Sequence, residues 1–338
     1  MSEDNNIQQV IVADIGGTNA RFAVATLTSG SDAGATPPLI EHFAGYACAD
    51  FHDPLPLIQA YIEDCPVKNI RSACFAVAGP ADGTSAYLTN LGWNFEAKDL
   101  SGPLALENII IANDFAALAR SVTAVDPSNL ISLHQATSPS STGPISVMGP
   151  GTGFGVAQVI RKQGHVTVIP TEGGHSAFVP TGELETQVWN MVRESMGRIT
   201  VETFLSGIGI LRIYRAVCSL HDMSPLNYEP STISQLAMEE NDPICVDTLN
   251  VFCMMLGSVA SDIALIHGSL GGVYLGGGIL PKIAKFVQKS RLVECYLDKP
   301  PMEKYVEQIP LNLITDPEAA LIGAALLAED AIGEKQKF

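Results

Sequence analysis

Charge is scarce in this chain, and positive charge is scarcest. Only 16% of the 338 residues are Asp, Glu, Lys or Arg, and 36 acids face 19 bases, for a formal net charge of −17. An average soluble protein carries roughly 25% charged residues. A surface so poor in cations repels nucleic acid and anionic membranes, which argues against both as partners. The acid excess then serves solubility. Disorder is excluded as well, since 46% hydrophobic residues and 30 glycines describe a chain that buries a sizeable core. The length suits one large or two ordinary domains.

Several patterns are missing. None of the seven cysteines (48, 65, 74, 218, 245, 253, 295) belongs to a C-x-x-C pair. An odd, scattered set points to reduced thiols in a cytoplasmic protein, and away from a disulfide framework or a zinc site. The start, MSEDNNIQQ, is polar and acidic, unlike a signal peptide. The longest apolar stretch, around Val251–Leu280, is interrupted by Asp262, His267 and glycines, so a buried helix and a strand fit it better than a membrane span. There is no G-x-x-x-x-G-K-[ST] and no G-x-G-x-x-G, which removes the Walker and Rossmann readings.

What is present is glycine at the tips of apolar runs. Val10–Ala13 and Ala20–Thr26 flank Asp14-Ile15-Gly16-Gly17-Thr18-Asn19, which predicts a hairpin with a glycine-rich turn. Loops are expected at Thr28–Pro38 and His134–Pro144, a helix at His52–Asp64, and strands at Ala73–Ala78 and Ile109–Ala112. Asn113 or Asp114 then stands where a helix cap belongs. The opening pattern recurs about 135 residues on, as Ile145–Met148, the turn Gly149-Pro150-Gly151-Thr152-Gly153, and Phe154–Ile160; the repeat suggests an internally duplicated α/β architecture. Helices are expected at Glu183–Met196, Val201–Leu220, Val246–His267 and Asp316–Asp330, and a strand at Gly272–Leu275 that runs into Gly276-Gly277-Gly278.

Successive backbone N–H groups in glycine turns bind anions without any lysine. Gly16-Gly17-Thr18-Asn19 and Gly151-Thr152-Gly153 suit phosphate, each with a threonine hydroxyl as an extra donor, and Asp14 is placed to hold Mg²⁺ through water. A single such turn is equally well an ordinary tight hairpin; two, plus a third glycine cluster after a strand, favour a nucleotide. Asn113-Asp114, Glu172-Gly173-Gly174-His175 and Glu202 are polar groups in apolar or glycine-rich surroundings. Carboxylates, amides and imidazole exchange hydrogen bonds with a neutral polyol, and phosphorylating an alcohol needs a base, for which Asp114 is placed. Other readings stand beside these: Asp114 as a helix N-cap, Glu202 as a first-turn acid, His175 as a core histidine. Two glycines between Glu172 and His175 make a helix improbable there, which rejects a Glu-x-x-His metal pair.

Taken in order, ADIGGTNARFA, FAVAGPADG with the following LTNLGW, ANDFAALA, GPGTGFGVA, TEGGHSAF, ETFLSGIGI and GGVYLGGGI resemble the bacterial-type glucokinase family, the branch without zinc-binding cysteines. The resemblance spans nearly the whole chain. It implies an α/β, duplicated ribonuclease H-like fold of the actin/hexokinase type, in two domains with an interdomain cleft. The small domain would take residues 1–115 plus 316–338 and the large one 116–315. It further implies ATP and glucose as substrates, with Mg²⁺ and without zinc, and a homodimer. Asp114 corresponds to the catalytic base, and Asn113, Glu172, His175 and Glu202 to sugar ligands. Gly16–Asn19 and Gly151–Gly153 correspond to the two phosphate loops, and Gly276–Gly278 to the adenosine-side turn.

Two segments depart from the family pattern. Glu202-Thr203 and Ser206-Gly207-Ile208-Gly209 replace the usual Glu-Arg and Ser-Gly-Pro-Gly, which puts the packing of that helix in question while keeping Glu202. CYLDKPP (Cys295–Pro301) looks unlike the usual family segment and is assigned no role. The rival functions are a kinase for another hexose or amino sugar, a non-catalytic sugar sensor, and an actin- or chaperone-like ATPase. The acidic chain lacks an N-terminal helix-turn-helix, which speaks against the sensor, and a sugar-reading set has no purpose in a simple ATPase.

Overall fold

The computed structural model describes residues 8–27, 37–137, 140, 142–162 and 164–335. Residues 28–36 of the first expected loop, and 138, 139 and 141 of the second, lie outside these. The chain forms two compact units, residues 1–129, 162–170 and 316–338 in the first, 130–161 and 171–315 in the second.

In the first unit, β1 (Gln8–Ile15) and β2 (Asn19–Leu27) form the expected antiparallel hairpin, and β3 (Leu39–Ala47) pairs with β2. On its other side β1 pairs in parallel with β4 (Ser72–Val77), and β4 with β7 (Asn108–Asn113), giving the order β3-β2-β1-β4-β7. All six residues of β4 are buried, as a central strand covered on both faces requires. Alternation along the strands then assigns each face. Ile11, Ala13, Ile15, Phe75 and Val77 pack with Leu57, Ile58 and Tyr61 of α1 (Pro54–Asp64). The same cluster takes in Leu88, Trp93 and Phe95 of a small hairpin, β5 (Ser85–Leu88) and β6 (Trp93–Glu96), and Leu100 of α2 (Ala97–Leu104). Val10, Val12, Cys74 and Ala76 face the other way, against Leu321, Ile322, Ala325 and Leu326 of the C-terminal helix Ala319–Lys335. That helix also lies on α3 (Asp114–Ser121), where Gly323 sits so close to the Ala117 carbonyl that a Cβ would overlap it. Arg120, 7% exposed, donates from Nε and Nη2 to the Asp330 carboxylate and joins the same two helices.

A six-stranded sheet repeats the plan. Its strands are β8 (Leu130–His134), β9 (Ile145–Pro150), β10 (Phe154–Lys162), β11 (His165–Thr171), β12 (Gly272–Leu275) and β13 (Leu311–Ile314), in the order β11-β10-β9-β12-β13-β8. The β9–β10 pair is antiparallel, β9–β12 and β12–β13 are parallel, and β8 is added antiparallel at the edge. Five strands thus follow the order of the first sheet, and β10, β9, β12 and β13 also its sense, as the sequence repeat predicts.

Helices α4 (Glu183–Met196), α5 (Val201–Phe204), α6 (Gly207–Leu220), α7 (Pro230–Met238) and α8 (Pro243–His267) build much of this core. The apolar α8 is long enough to cross a membrane, but 78% of its apolar window is buried inside the protein; it is the core helix expected. The single helix expected over Val201–Leu220 is broken. Ser206 caps α6 by accepting from Gly209 N at 3.1 Å, and a Cβ on Gly209 would overlap the Phe204 carbonyl. A serine followed by two spaced glycines starts a new helix inside an amphipathic run.

Candidate active site

In the first unit the parallel strands β1, β4 and β7 end side by side. Ile15 is level with Val77, and Val77 with Asn113. The Gly16–Asn19 turn and the start of α3 therefore leave the same edge of one sheet. The turn closes with a bond from Gly16 N to Asn19 O at 2.9 Å, which leaves the amides of Gly17 and Thr18 outside it. Asp14 and Arg21 are cross-strand partners, and Arg21 Nη2 donates to Asp14 Oδ2 at 2.5 Å while Nη1 donates to Pro317 O. Asn113, not Asp114, is the cap of α3: its Oδ1 accepts from Ala116 N at 3.0 Å and its Nδ2 donates to Gly79 O at 3.1 Å. Asp114 is half-buried, and its Oδ1 accepts from Phe115 N and from Asn113 Nδ2. The capping reading of Asp114 is thus corrected to its neighbour.

In the second unit the remaining candidates converge on the β9–β10 turn. Gly151 N donates to Gly153 O at 2.8 Å, and Gly207 N donates to Gly151 O at 3.0 Å. Glu202 lies in the first turn of α5, and its Oε2 accepts from Phe154 N at 2.9 Å, so close to Gly153 that a Cβ there would push the carboxylate aside. Glu172 opens a short 3₁₀ turn, Gly173–His175. Its glycines are required by space: a Cβ on Gly173 would lie 3.0 Å from Val156 Cγ2, and one on Gly174 would overlap the Phe154 carbonyl. His175 Nε2 stands 3.7 Å from Glu172 Oε2, with the two side chains 59% and 61% exposed. That exposure overturns the core-histidine alternative. Val201 N donates to Ser176 O at 3.0 Å, tying this turn to α5. The third glycine cluster adjoins the second. Gly276 N donates to Met148 O, Gly277 adopts φ +87° with its Cβ position 2.6 Å from Pro150 O, and Gly278 is exposed.

Two residues outside the expected set touch the first turn. Cys48, fully buried, donates its backbone N–H to Thr18 O at 2.9 Å and its Sγ–H to Gly16 O at 3.4 Å. Burial raises its pKa, which keeps the thiol protonated and able to donate. Asn90, in LTNLGW, lies over Gly17. Neither contact has a local signal, because each joins segments far apart in sequence. Among the described residues no group of three or more His, Cys, Asp or Glu forms a metal cage. Asp14 keeps Oδ1 outside its ion pair, and a lone half-committed carboxylate fits Mg²⁺ held through water, since that ion draws most of its ligands from water and substrate phosphates.

The family model for glucokinase matches residues 11–331. The glucokinase of Saccharophagus degradans is 37% identical over 315 residues, 93% of this chain and 96% of its own. The crystal structure of a glucokinase from an Antarctic psychrotroph superposes with a TM-score of 0.82 at 34% identity, covering 96% of this chain and 99% of that one. A ROK family glucokinase from Streptomyces griseus, solved with glucose and AMPPNP, shares the fold at 19% identity, with a TM-score of 0.64 over 95% of this chain and 99% of its own. Two mixed sheets with repeated strand order and glycine-tipped hairpins place the protein among the hexokinase-type sugar kinases. The chain belongs to the glucokinase family, ATP-dependent enzymes that phosphorylate glucose.

Proposed function

We propose that Asp114 is the general base of this glucokinase and that the two glycine turns hold the ATP phosphates. The observation that carries the reading is the shared sheet edge: Asp114 follows the strand end two rows from the Gly16 turn, a separation of about 10 Å at ordinary strand spacing. A phosphoryl group and an alcohol fit within that span.

In this mechanism the 6-hydroxyl oxygen of glucose attacks the γ-phosphorus in line. The new O–P bond forms as the bond to the β,γ-bridging oxygen breaks, ADP leaves, and the hydroxyl proton passes to Asp114. Asn113, anchored to Gly79 and to the first turn of α3, steadies the base and reads a sugar hydroxyl. Glu172, His175 and Glu202 read the others, their carboxylates accepting and the imidazole donating or accepting. Gly16, Gly17, Thr18 and Asn19, and Gly151, Thr152 and Gly153, supply N–H and hydroxyl donors to the phosphates. Gly276, Gly277 and Gly278 bound the adenosine side, where a side chain at Gly277 would be excluded by Pro150. Mg²⁺ held through Asp14 would neutralise the charge on the phosphates.

A coupled assay with ATP-Mg²⁺ tests the reading. Asp114→Asn is expected to lower kcat by at least about 10²-fold with a much smaller change in glucose KM. A near-wild-type rate removes Asp114 from the role. The same assay over glucose, mannose, fructose and glucosamine ranks the acceptors by kcat/KM.

A further inference from the structure

The β5–β6 hairpin has no part in the mechanism above, yet its tip is fixed against the first glycine turn. Leu88 and Trp93 pair across the hairpin and are 0% and 4% exposed. Between them Leu91 N and Gly92 N both donate to Leu88 O, at 3.2 and 2.9 Å, and Gly92 adopts φ +68°. This tight closure on buried anchors presents Thr89 and Asn90 to solvent.

The Asn90 side chain covers Gly17. A Cβ on Gly17 would lie 3.0 Å from Asn90 Nδ2 and 3.3 Å from Asn90 Cβ. Gly17 does not adopt a positive φ, so backbone conformation does not require glycine there. What the missing side chain provides is room for the Asn90 amide against the turn. The segment leading into the hairpin is tied to the strand that precedes Asp114, because Ile111 N donates to Gly83 O at 3.0 Å. The hairpin is also tied through Gly79, whose carbonyl accepts from Asn113 and whose Cβ position is 2.6 Å from Tyr87 O. Arg21, the cation of the β1–β2 hairpin, is committed to Asp14 and Pro317 O. The Asn90 amide is therefore a neutral donor set against Gly17 of the turn.

We infer that Asn90 is a further catalytic residue, whose side-chain N–H donates to an oxygen of the γ-phosphoryl group as it passes from ATP to the sugar. The inference rests on the reading of Gly16–Asn19 as a phosphate turn. A donor aimed at the transferred group acts on its spreading charge in the transition state, so its loss falls on kcat. The sign of the effect is specific: a carboxylate in the same place repels the phosphoryl oxygens, whereas a packing role would accept the isosteric Asp.

Steady-state kinetics of Asn90→Ala, Asn90→Asp and Thr18→Val, with melting curves, test this. Asn90→Ala is expected to lower kcat about 10- to 10²-fold, and Asn90→Asp to lower it further, with glucose KM within about threefold and wild-type melting. Asn90→Asp at or above the activity of Asn90→Ala, or a loss confined to glucose KM, overturns the inference. If Thr18→Val is impaired while both Asn90 variants behave as wild type, only this inference has failed. If all three keep wild-type kcat and ATP KM, the phosphate-turn reading has failed with it.

Discussion

The β1–β2 and β9–β10 hairpins open the same five-strand order, but their glycine tips are held by different means. The first turn is braced by groups that yield: the Cys48 thiol beneath Gly16 and an exposed amide over Gly17. The strand leading into the second is wedged between backbones, Gly149 against Gly276 and Gly277 against Pro150 O, while Gly151 is open and Gly153 meets the end of the Glu202 side chain. One duplicated frame thus carries one tip overlaid by a movable side chain and one whose leading strand is held against the Gly276–Gly278 backbone.

Matched alanine substitutions should expose this contrast most strongly. Gly149→Ala drives a Cβ into the Gly276 carbonyl and is expected to cost about 3 kcal/mol, with loss of activity. Gly17→Ala meets only the movable Asn90 side chain and should change stability by less than about 1 kcal/mol. Thermal unfolding of the pair measures the difference, and equal losses would erase the distinction drawn between the tips.

A smaller effect separates the bond Glu202 makes to Phe154 from its proposed sugar contact. Glu202→Ala leaves the Phe154 N–H without its acceptor, at a cost of about 1–2 kcal/mol. Glu202→Gln keeps an oxygen for that bond but removes the charge, so melting should hold while glucose KM rises. Denaturant titration alongside glucose kinetics checks both, and a destabilised Gln variant with unchanged KM would assign Glu202 to structure alone.

The smallest effect concerns pH in the second unit. Ser146 Oγ is 2.7 Å from His267 Nδ1 and 2.7 Å from Ser269 Oγ, and burial lowers the histidine pKa from its ordinary 6.5. The unfolded chain therefore binds a proton that the native state resists. This stability is present above about pH 6.5 and declines as pH falls towards the lowered value. His267→Gln should flatten the fall in melting temperature between pH 7.5 and 5.5 relative to wild type; an unchanged slope would show that other groups set it.

Much of this frame was legible in the sequence because the decisive signals are local. β-Branched runs bounded by glycine give both hairpins and Gly272–Leu275, and Glu183–Met196 follows from helical periodicity alone. Edge strands β3 and β8 are half-exposed and depend on partners, in the case of β8 a strand far along the chain, so their own residues announce them weakly. The break at Ser206 hid inside an amphipathic pattern that continues across it. Of the site, the glycine turns and acids stood out by residue type, whereas Asn113 and Asp114 differ as caps only in which oxygen reaches Ala116 N. Asn90 and Cys48 acquire meaning only once tertiary packing lays them on Gly17 and Gly16.

The dependence of the first sheet on the C-terminal helix has a consequence for biosynthesis. Val10, Val12, Cys74 and Ala76 are made before the second unit, yet the residues that cover them, Leu321 to Ala328, are made after it. On the ribosome that apolar face stays wet while the second unit already has nearly all its chain. The face of the first sheet is then covered only after the second unit is made, and a nascent chain halted before residue 319 would present that bare face to chaperones.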